Sequence, residues 1–185
     1  TLLVGAGLMV RSFQALLKTD IGFVPDNMIK LRLAGGDSVA STPERRTEML
    51  GRIATLPGME SAVAMNCAPL EGDCAMMPIT MVDSHRADRD EYPPVEVHTV
   101  AGDMLRTLRI PLRRGRQFTA REMQGVPSAV MVNETAARLL WKGESPIGRR
   151  LSTFQAGQLS VEVIGVVADV KNTALDGDYD GTAGG

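Results

Sequence analysis

The fold of this chain is decided by three phrases close to its C-terminal end: V-M-V-N-E-T-A-A-R-L-L-W at Val130–Trp141, S-P-I-G-R-R-L at Ser145–Leu151, and V-I-G-V-V-A-D-V-K-N at Val163–Asn172. The apolar run before Asn133 predicts a strand over Ala129–Val132. Asn133 has a side chain suited to a helix N-cap, so the pattern predicts a helix over Glu134–Trp141. We expect Trp141, the only tryptophan, to close the core where the second phrase turns back.

Two further strands are predicted to complete this part of the sheet. They are Leu151–Phe154 and Val161–Val170, on either side of Gln155–Gln158, which has the composition of a turn. A connection this short joins neighbouring strands as an antiparallel pair. The C-terminal third of the chain is therefore predicted to be mainly sheet with one helix packed on it.

The N-terminal half predicts a β-α-β unit. Met28–Leu33 (M-I-K-L-R-L) alternates apolar and charged residues, which is the pattern of a half-buried strand. Thr42-Pro43-Glu44 combines an N-cap, a proline at the first helical position and an acidic residue near the positive end of the helix dipole. Pro57-Gly58 ends that helix, and Ser61–Met65 is predicted to be the second strand.

Short strands and one short helix occupy the middle of the chain. The patterns predict strands over Pro78–Val82 and Val95–Val100, the charged loop Asp83–Glu91 between them, and a helix over Met104–Leu108. Many short strands with two or three helices indicate an α+β fold. We expect a β-α-β unit plus antiparallel strands, in layered sheets with the helices on one face.

The composition is that of a globular chain. The 185 residues are 44% hydrophobic and 23% charged, and the net charge is −2 at pH 7. A chain of this length buries a real core, in one domain or two small lobes. A slightly negative charge gives no reason to expect nucleic acid as a partner. Since aromatic residues make up 4% of the chain and 11 residues are methionine, the core should be aliphatic.

The N-terminus carries an apolar run, Leu2–Val10 (L-L-V-G-A-G-L-M-V), which ends at Arg11. A membrane-spanning helix needs about 20 such residues, so this run is half a span at best. It lacks the basic region and the cleavage site of a signal peptide. Two interpretations stay open on the residues alone: the outer end of a transmembrane helix, or the buried N-terminal helix of a soluble protein.

Two glycine-containing patterns resemble ligand-binding loops without meeting their requirements. Gly5-Ala6-Gly7 begins a dinucleotide-binding phrase, but Val10 replaces the third glycine and too few residues precede it for a strand. Asp176–Gly181 (D-G-D-Y-D-G) begins like a calcium loop, yet a predicted strand, not a helix, precedes it. A flexible acidic and glycine-rich tail over 177–185 is expected instead.

A basic cluster and four possible metal ligands remain. The cluster is formed by Arg109, Arg113, Arg114 and Arg116. It is suited to contact phosphate, but the alternation with apolar residues favours one solvated strand face. The possible zinc ligands match no common zinc spacing; they are Cys67, Cys74, His85 and His98. We therefore expect no catalytic, cofactor-binding or metal-binding residue, and no cofactor.

The two cysteines leave one question open. Cys67 and Cys74 enclose Pro69, Gly72 and Asp73, a turn-forming stretch that is able to bring the two Cα atoms within disulfide range. An oxidising compartment favours the bond. The alternative is a pair of free thiols in a loop.

The order of these phrases, preceded by V-A-G-D-M-L-R-T-L-R-I-P-L-R-R-G-R-Q-F at Val100–Phe118, resembles the extracytoplasmic core domain of MacB-type, FtsX-like ABC transporter permeases. The resemblance covers Leu2 to about Asp176. It implies a porter-like fold with an inserted lobe. The N-terminal run followed by G-F-V-P-D-N resembles the exit of the first membrane helix in that family, which favours the first of the two interpretations of Leu2–Val10.

The resemblance implies an organisation and a location. Residues 1–20 are expected to be the end of a truncated transmembrane helix and a stalk. Residues 21–176 are expected to form a periplasmic core domain, incomplete at its C-terminal end. The domain would belong to the bacterial inner membrane and face the periplasm or the cell exterior.

The resemblance also implies a role and partners. The domain would be non-catalytic and would transmit ATPase-driven motion to cargo or partner proteins. The implied partners are a cytoplasmic ABC ATPase acting indirectly, a second permease copy, a periplasmic adaptor or envelope protein, and the membrane through the N-terminal helix. The alternative from another class is a free-standing soluble binding protein or small enzyme with a buried N-terminal helix.

Overall fold

The computed structural model describes residues 2–17, 21–33, 42–71, 74, 76–82, 95–125, 127–153 and 159–171. In these ranges helices and short strands alternate along the chain. The helices are α1 (Leu2–Leu17), α2 (Pro43–Ala54), α3 (Met104–Leu108), α4 (Ala120–Gln124) and α5 (Glu134–Trp141). The strands are β1 (Val63–Met65), β2 (Met76–Met77), β3 (Ile79–Met81), β4 (Val95–Glu96), β5 (Val100–Gly102), β6 (Leu112–Gly115), β7 (Ala129–Asn133), β8 (Arg150–Thr153) and β9 (Leu159–Val167). The predicted α+β class is confirmed.

The longest strand, β9, organises the main sheet. It pairs antiparallel with β8 through its N-terminal half and with β6 through its C-terminal half, and it pairs parallel with β7. The antiparallel β8–β9 pair was predicted. At Gly165 of β9, a Cβ atom would lie 2.8 Å from the carbonyl oxygen of Arg116. Only glycine allows the two backbones to approach so closely.

Two separate clusters of buried residues form the core, and both include side chains of β9. The first places α5 against the sheet, and Trp141 in it is 4% exposed. The predicted burial of Trp141 is therefore confirmed. The second cluster joins α3 to the end of β9 through Leu105, Leu108 and Val167. Burial of aliphatic side chains on both clusters supplies the main stabilisation of the sheet.

The predicted strand at Met28–Leu33 is wrong, and with it the β-α-β unit. The structure has no strand there. Ile29 and Leu31 are each 74% exposed and Leu33 is 56% exposed. The alternation is real, but it requires a partner strand and a covering layer, and neither is present among the described residues. Instead, β1 after α2 pairs antiparallel with β5.

Local capping chemistry explains why the helices were easier to predict than the sheet. The side chain of Thr42 accepts a hydrogen bond from the Arg45 amide, and that of Asn133 accepts one from the Ala136 amide. Both residues therefore act as the predicted N-caps. One helix was missed. α4 follows the N-cap Thr119, and the side chains of Thr119 and Glu122 each accept a hydrogen bond from the other residue's backbone amide.

Some predicted features fall outside the described residues. They are the charged loop Asp83–Glu91, the turn Gln155–Gln158 and the tail 177–185. The N-terminal run forms α1, a helix of 16 residues. Within the described part of the chain, none of the helices has both the length and the apolar character needed to cross a bilayer.

Candidate functional site

The segment that follows α1 lies beside the segment that follows β9. We call this place the helix–sheet junction and define it by Ile21–Val24, Leu108 and Asp169–Lys171. The backbone amide of Lys171 donates to the carbonyl oxygen of Ile21 at 3.0 Å. The amide of Val24 donates to the carbonyl oxygen of Leu108 at 3.2 Å. The segment that follows α1 is therefore held by two separate parts of the chain, the residues after β9 and the end of α3.

At Gly22 the segment after α1 lies directly against the backbone of Asp169. Its φ angle is +79°, and a Cβ atom there would collide with the carbonyl oxygen of Asp169. A positive φ and the absence of space both require glycine. The next residue, Phe23, packs against the second core cluster. The segment is thus fixed by its backbone and by an aromatic side chain.

Asp169 extends the junction to α5. Its carboxylate accepts one hydrogen bond from the backbone amide of Thr135 and one from the Thr135 hydroxyl, each at 2.9 Å. A carboxylate that accepts from the first turn of a helix also interacts favourably with the helix dipole. The junction therefore connects the segment after α1, the end of β9 and the start of α5. Backbone hydrogen bonds, the packing of Phe23 and the two bonds to Asp169 hold these three elements together.

The two cysteines are joined. Cys67 and Cys74 form a disulfide with their Cα atoms 5.7 Å apart, which answers the question that the sequence left open. The loop that they close carries Glu71. The Glu71 carboxylate accepts from the Ala68 amide at 2.8 Å and lies 2.8 Å from Lys30 Nζ and 2.6 Å from Arg32 Nη2.

These contacts change the acidity of Glu71. The hydrogen bonds from Lys30, from the Ala68 amide and from Arg32, in that order of size, lower the pKa of Glu71 from its ordinary value of 4.5 to about 2. The carboxylate thus stays charged through the physiological range. It holds the segment Met28–Leu33 against the disulfide loop, with the apolar side chains of that segment exposed.

The possible zinc ligands are only partly brought together. Cys67 Sγ, Cys74 Sγ and a carboxylate oxygen of Glu96 lie within 4.8 Å of one another. His98 is next to them, with Nε2 3.7 Å from Glu96 Oε1 and Nδ1 3.3 Å from the Cys67 carbonyl oxygen. The disulfide uses both sulfur atoms, and metal ligation by cysteine needs the thiolate. His85 lies outside the described residues.

Two arginines of the basic cluster form an ion pair with a described carboxylate, and two do not. Arg116 makes two hydrogen bonds to the Glu122 carboxylate, at 2.8 and 2.9 Å, and these bonds are the largest cause that lowers the pKa of Glu122 to about 2. Arg113 Nε lies 3.3 Å from Glu134 Oε2. The side chains of Arg109 and Arg114 form no ion pair with a described residue. All four are exposed, but only Arg113 and Arg114 lie on β6, because Arg109 ends α3 in a left-handed conformation and Arg116 follows the last residue of the strand. The four arginines therefore do not share one strand face.

Two of the clefts on the described surface are considered as candidate ligand sites. One, of about 210 Å³, lies between β6 and α5 and is lined by Arg113, Arg114 and Arg138 together with Glu134 and Glu144. The other, of about 350 Å³, is lined largely by apolar side chains; these include Leu50, Met104, Phe118, Met123 and Met131. Of the described residues, no histidine, serine or cysteine lines either cleft. Neither therefore has the usual general base or nucleophile of acyl transfer.

Comparison with known proteins places the fold in a family. The model of the MacB-like periplasmic core domain matches residues 1–183. Nine chains of solved structures match. One is the periplasmic region of MacB from Actinobacillus actinomycetemcomitans, with 13% identity and a TM-score of 0.51 over 69% of this chain and 52% of that chain. Another is the extracellular domain of the noncanonic ABC-type transporter YknZ from Gram-positive bacteria, with 18% identity and a TM-score of 0.44 over 66% of this chain and 56% of that chain.

These matches have defined limits. The chain spans about half of the length of the solved relatives that it matches. At 13% identity, the likeness to the periplasmic region of MacB concerns the fold. A search of the curated proteins finds no match.

Proposed function

The chain belongs to the MacB-like periplasmic core domain family, and from this premise we propose that it is a non-catalytic extracytoplasmic domain of an ABC transporter permease. The domain transmits ATPase-driven motion of the membrane helices to periplasmic cargo or partner proteins. It faces the periplasm or the cell exterior from the inner membrane. The observation that carries the proposal is the helix–sheet junction.

The junction has the connectivity that transmission needs. Energetic coupling between distant sites is carried by packed elements that move together. Ile21 is bonded to Lys171 at 3.0 Å, and Lys171 follows the strand that pairs with β6, β7 and β8. A displacement of the segment after α1 is therefore passed to the whole main sheet and, through Asp169, to α5.

The distance from α1 to the junction is also short. Three residues, 18–20, separate α1 from Ile21, so the chain reaches at most about 14 Å between Leu17 and Ile21. If α1 is the outer end of a membrane helix, the junction lies close to the membrane surface. Residues 1–20 then form the helix end and stalk, and residues 21–176 form the core domain.

The proposed partners follow from the same role. A cytoplasmic ABC ATPase supplies the motion indirectly, and a second permease copy provides the surface against which the domain moves. A periplasmic adaptor or envelope protein receives the motion. The isolated chain itself should neither bind nor hydrolyse ATP, because its sequence has no G-x-x-x-x-G-K-[ST] loop to hold the phosphates.

The proposal is tested by locking the domain in the full-length permease. An engineered cross-link between the domains of two copies prevents their relative motion without touching the ATPase. The proposal expects ATPase activity to persist while transport or partner activation stops. Unchanged transport with the domain locked, in preparations where cross-linking is complete, would show that motion of the domain is not needed.

A further inference from the structure

The cleft between β6 and α5 has three arginines in its lining, and we propose that it binds the phosphate group of an anionic lipid headgroup at the membrane surface. We call it the arginine cleft and define it by Arg113, Arg114, Arg138, Glu134 and Glu144. The inference rests on the proposed function, because it needs the α1 end of the domain to face the membrane.

The arginines retain donors for a phosphate. A guanidinium group has five N–H donors and binds phosphate oxygens through pairs of them. Arg113 uses its Nε atom on Glu134 at 3.3 Å, and Arg138 uses Nη2 on the Thr135 hydroxyl at 3.1 Å. The Arg114 side chain is exposed and makes no hydrogen bond or ion pair with a described residue. The cleft of about 210 Å³ accommodates a small anionic group rather than a drug-sized ligand.

The acidic residues of the cleft do not cancel this charge. Glu134 is paired with Arg113, and Glu144 lies 3.0 Å from Nη2 of Arg149, a fourth arginine just outside the lining. Each carboxylate thus already has a cation. The charges of Arg114 and Arg138 are left without a carboxylate partner among the described residues, so the cleft attracts an anion.

The position of the cleft points to the membrane as the source of that anion. Glu134 precedes Thr135, which is bonded to Asp169, and the Asp169 carbonyl is packed against Gly22. The cleft therefore adjoins the helix–sheet junction, only a few residues after α1. On α1 itself, Met9 is 78% exposed and Leu8 and Phe13 are each 62% exposed, an apolar surface suited to acyl chains.

The net charge of the chain does not by itself favour binding to an anionic membrane. The net charge is −2, so the chain as a whole is not attracted to an anionic surface. Any preference for anionic lipid must come from a local group of cations. Basic residues close to such a surface each contribute about fivefold in partitioning, and the arginine cleft is a local group of this kind next to α1.

The test measures how the 185-residue chain partitions into vesicles. Vesicles of phosphatidylcholine containing phosphatidylglycerol are compared with vesicles of phosphatidylcholine alone, so that insertion of α1 is common to both. The ratio of the two partition coefficients reports the headgroup preference. The variant Arg114→Gln/Arg138→Gln should lower this ratio by about 30-fold, since two arginines are lost. Circular dichroism shows whether the variant keeps its fold.

A matched control separates the cleft from total charge. Arg52→Gln/Arg121→Gln removes the same two charges from exposed positions on α2 and α4, and it should change the ratio less than about twofold. An equal fall in both variants, or no fall in the cleft variant, overturns the proposal.

A titration with inorganic phosphate distinguishes a lipid headgroup from a free anion. If phosphate alone saturates the cleft below about 1 mM, seen as shifts of the Ala137 and Arg138 amide resonances, the cleft is a free-anion site and the proposal is overturned. Failure here leaves the transmission role standing, because that role is measured by transport in the intact permease.

Discussion

Asp169 and Thr135 are joined by two hydrogen bonds, from the Thr135 amide and the Thr135 hydroxyl to the same carboxylate, each at 2.9 Å. The backbone of Asp169 meanwhile lies against Gly22. One residue therefore connects the segment after α1, the end of the central strand and the first turn of α5. This arrangement gives a physical path from the segment after α1 to the sheet.

The junction should be sensitive to one added methyl group. Gly22→Ala places a Cβ against the Asp169 carbonyl at a φ of +79°, whereas Gly58→Ala has a similar φ of +83° and nothing within 4 Å. Gly58→Ala should lower the free energy of unfolding by about 1–2 kcal/mol through its conformation alone. Gly22→Ala should lower it by a further 1–3 kcal/mol or so, because the backbone must move. Denaturant melts of the two variants measure the difference, and equal losses would contradict the packing at the junction.

Trp141 should be a major contributor to stability. It is 4% exposed in the first core cluster, and Trp141→Ala should lower the free energy of unfolding by about 3–5 kcal/mol. Leu139 on the same helix is 44% exposed, so Leu139→Ala is the control and should cost less than about 1 kcal/mol. A loss of less than about 1 kcal/mol for Trp141→Ala in denaturant melts would mean that this side chain is not a core residue.

The predictions from sequence succeeded where the determining interactions are local. Asn133 and Thr42 cap helices through the amide three positions further along the chain, so the local sequence predicts their roles. The capping box of Thr119 and Glu122 is equally local, and its T-x-x-E spacing is a pattern that predicts a helix start. The strand predicted at Met28–Leu33 failed because a strand depends on a partner that alternation does not specify.

Long-range contacts are not predicted by local patterns. Gly22 and Asp169 are far apart in the chain, and no local sequence pattern predicts their contact. The disulfide cannot be decided from the sequence, because turn composition alone does not fix the separation of the two Cα atoms.

The disulfide should stabilise the domain modestly. It closes a short loop, so its loss in Cys67→Ser/Cys74→Ser should lower the free energy of unfolding by about 2–3 kcal/mol. A dithiol reductant should destabilise the wild-type chain by a similar amount and leave the double variant unchanged. Non-reducing peptide mapping of protein from the periplasm should show the linked pair. Two freely alkylatable thiols in that sample would contradict the bond.

The contacts of Glu71 predict a pH dependence of stability. Its pKa is lowered from 4.5 to about 2 in the folded chain, so its contribution is complete above about pH 4.5 and is lost as the pH falls towards 2. Glu71→Gln should therefore show a shallower loss of stability over this window than the wild type. Lys30→Ala/Arg32→Ala should also flatten the curve, because it removes two of the groups that stabilise the carboxylate. Identical acid-unfolding curves for wild type and Glu71→Gln would refute these contacts.

The central claim is that the domain moves when nucleotide binds below the membrane, and the most direct test is a distance between the domains of two permease copies. The described cysteines are bonded to each other, so Arg121→Cys on α4 offers an exposed site for a spin label once other cysteines of the full-length protein are replaced. Pulsed electron paramagnetic resonance then gives the label-to-label distance with and without a non-hydrolysable ATP analogue. The transmission account predicts a shifted distance on nucleotide binding, reduced by Gly22→Ala but not by Gly58→Ala. An unchanged distance in a permease that still hydrolyses ATP would contradict it.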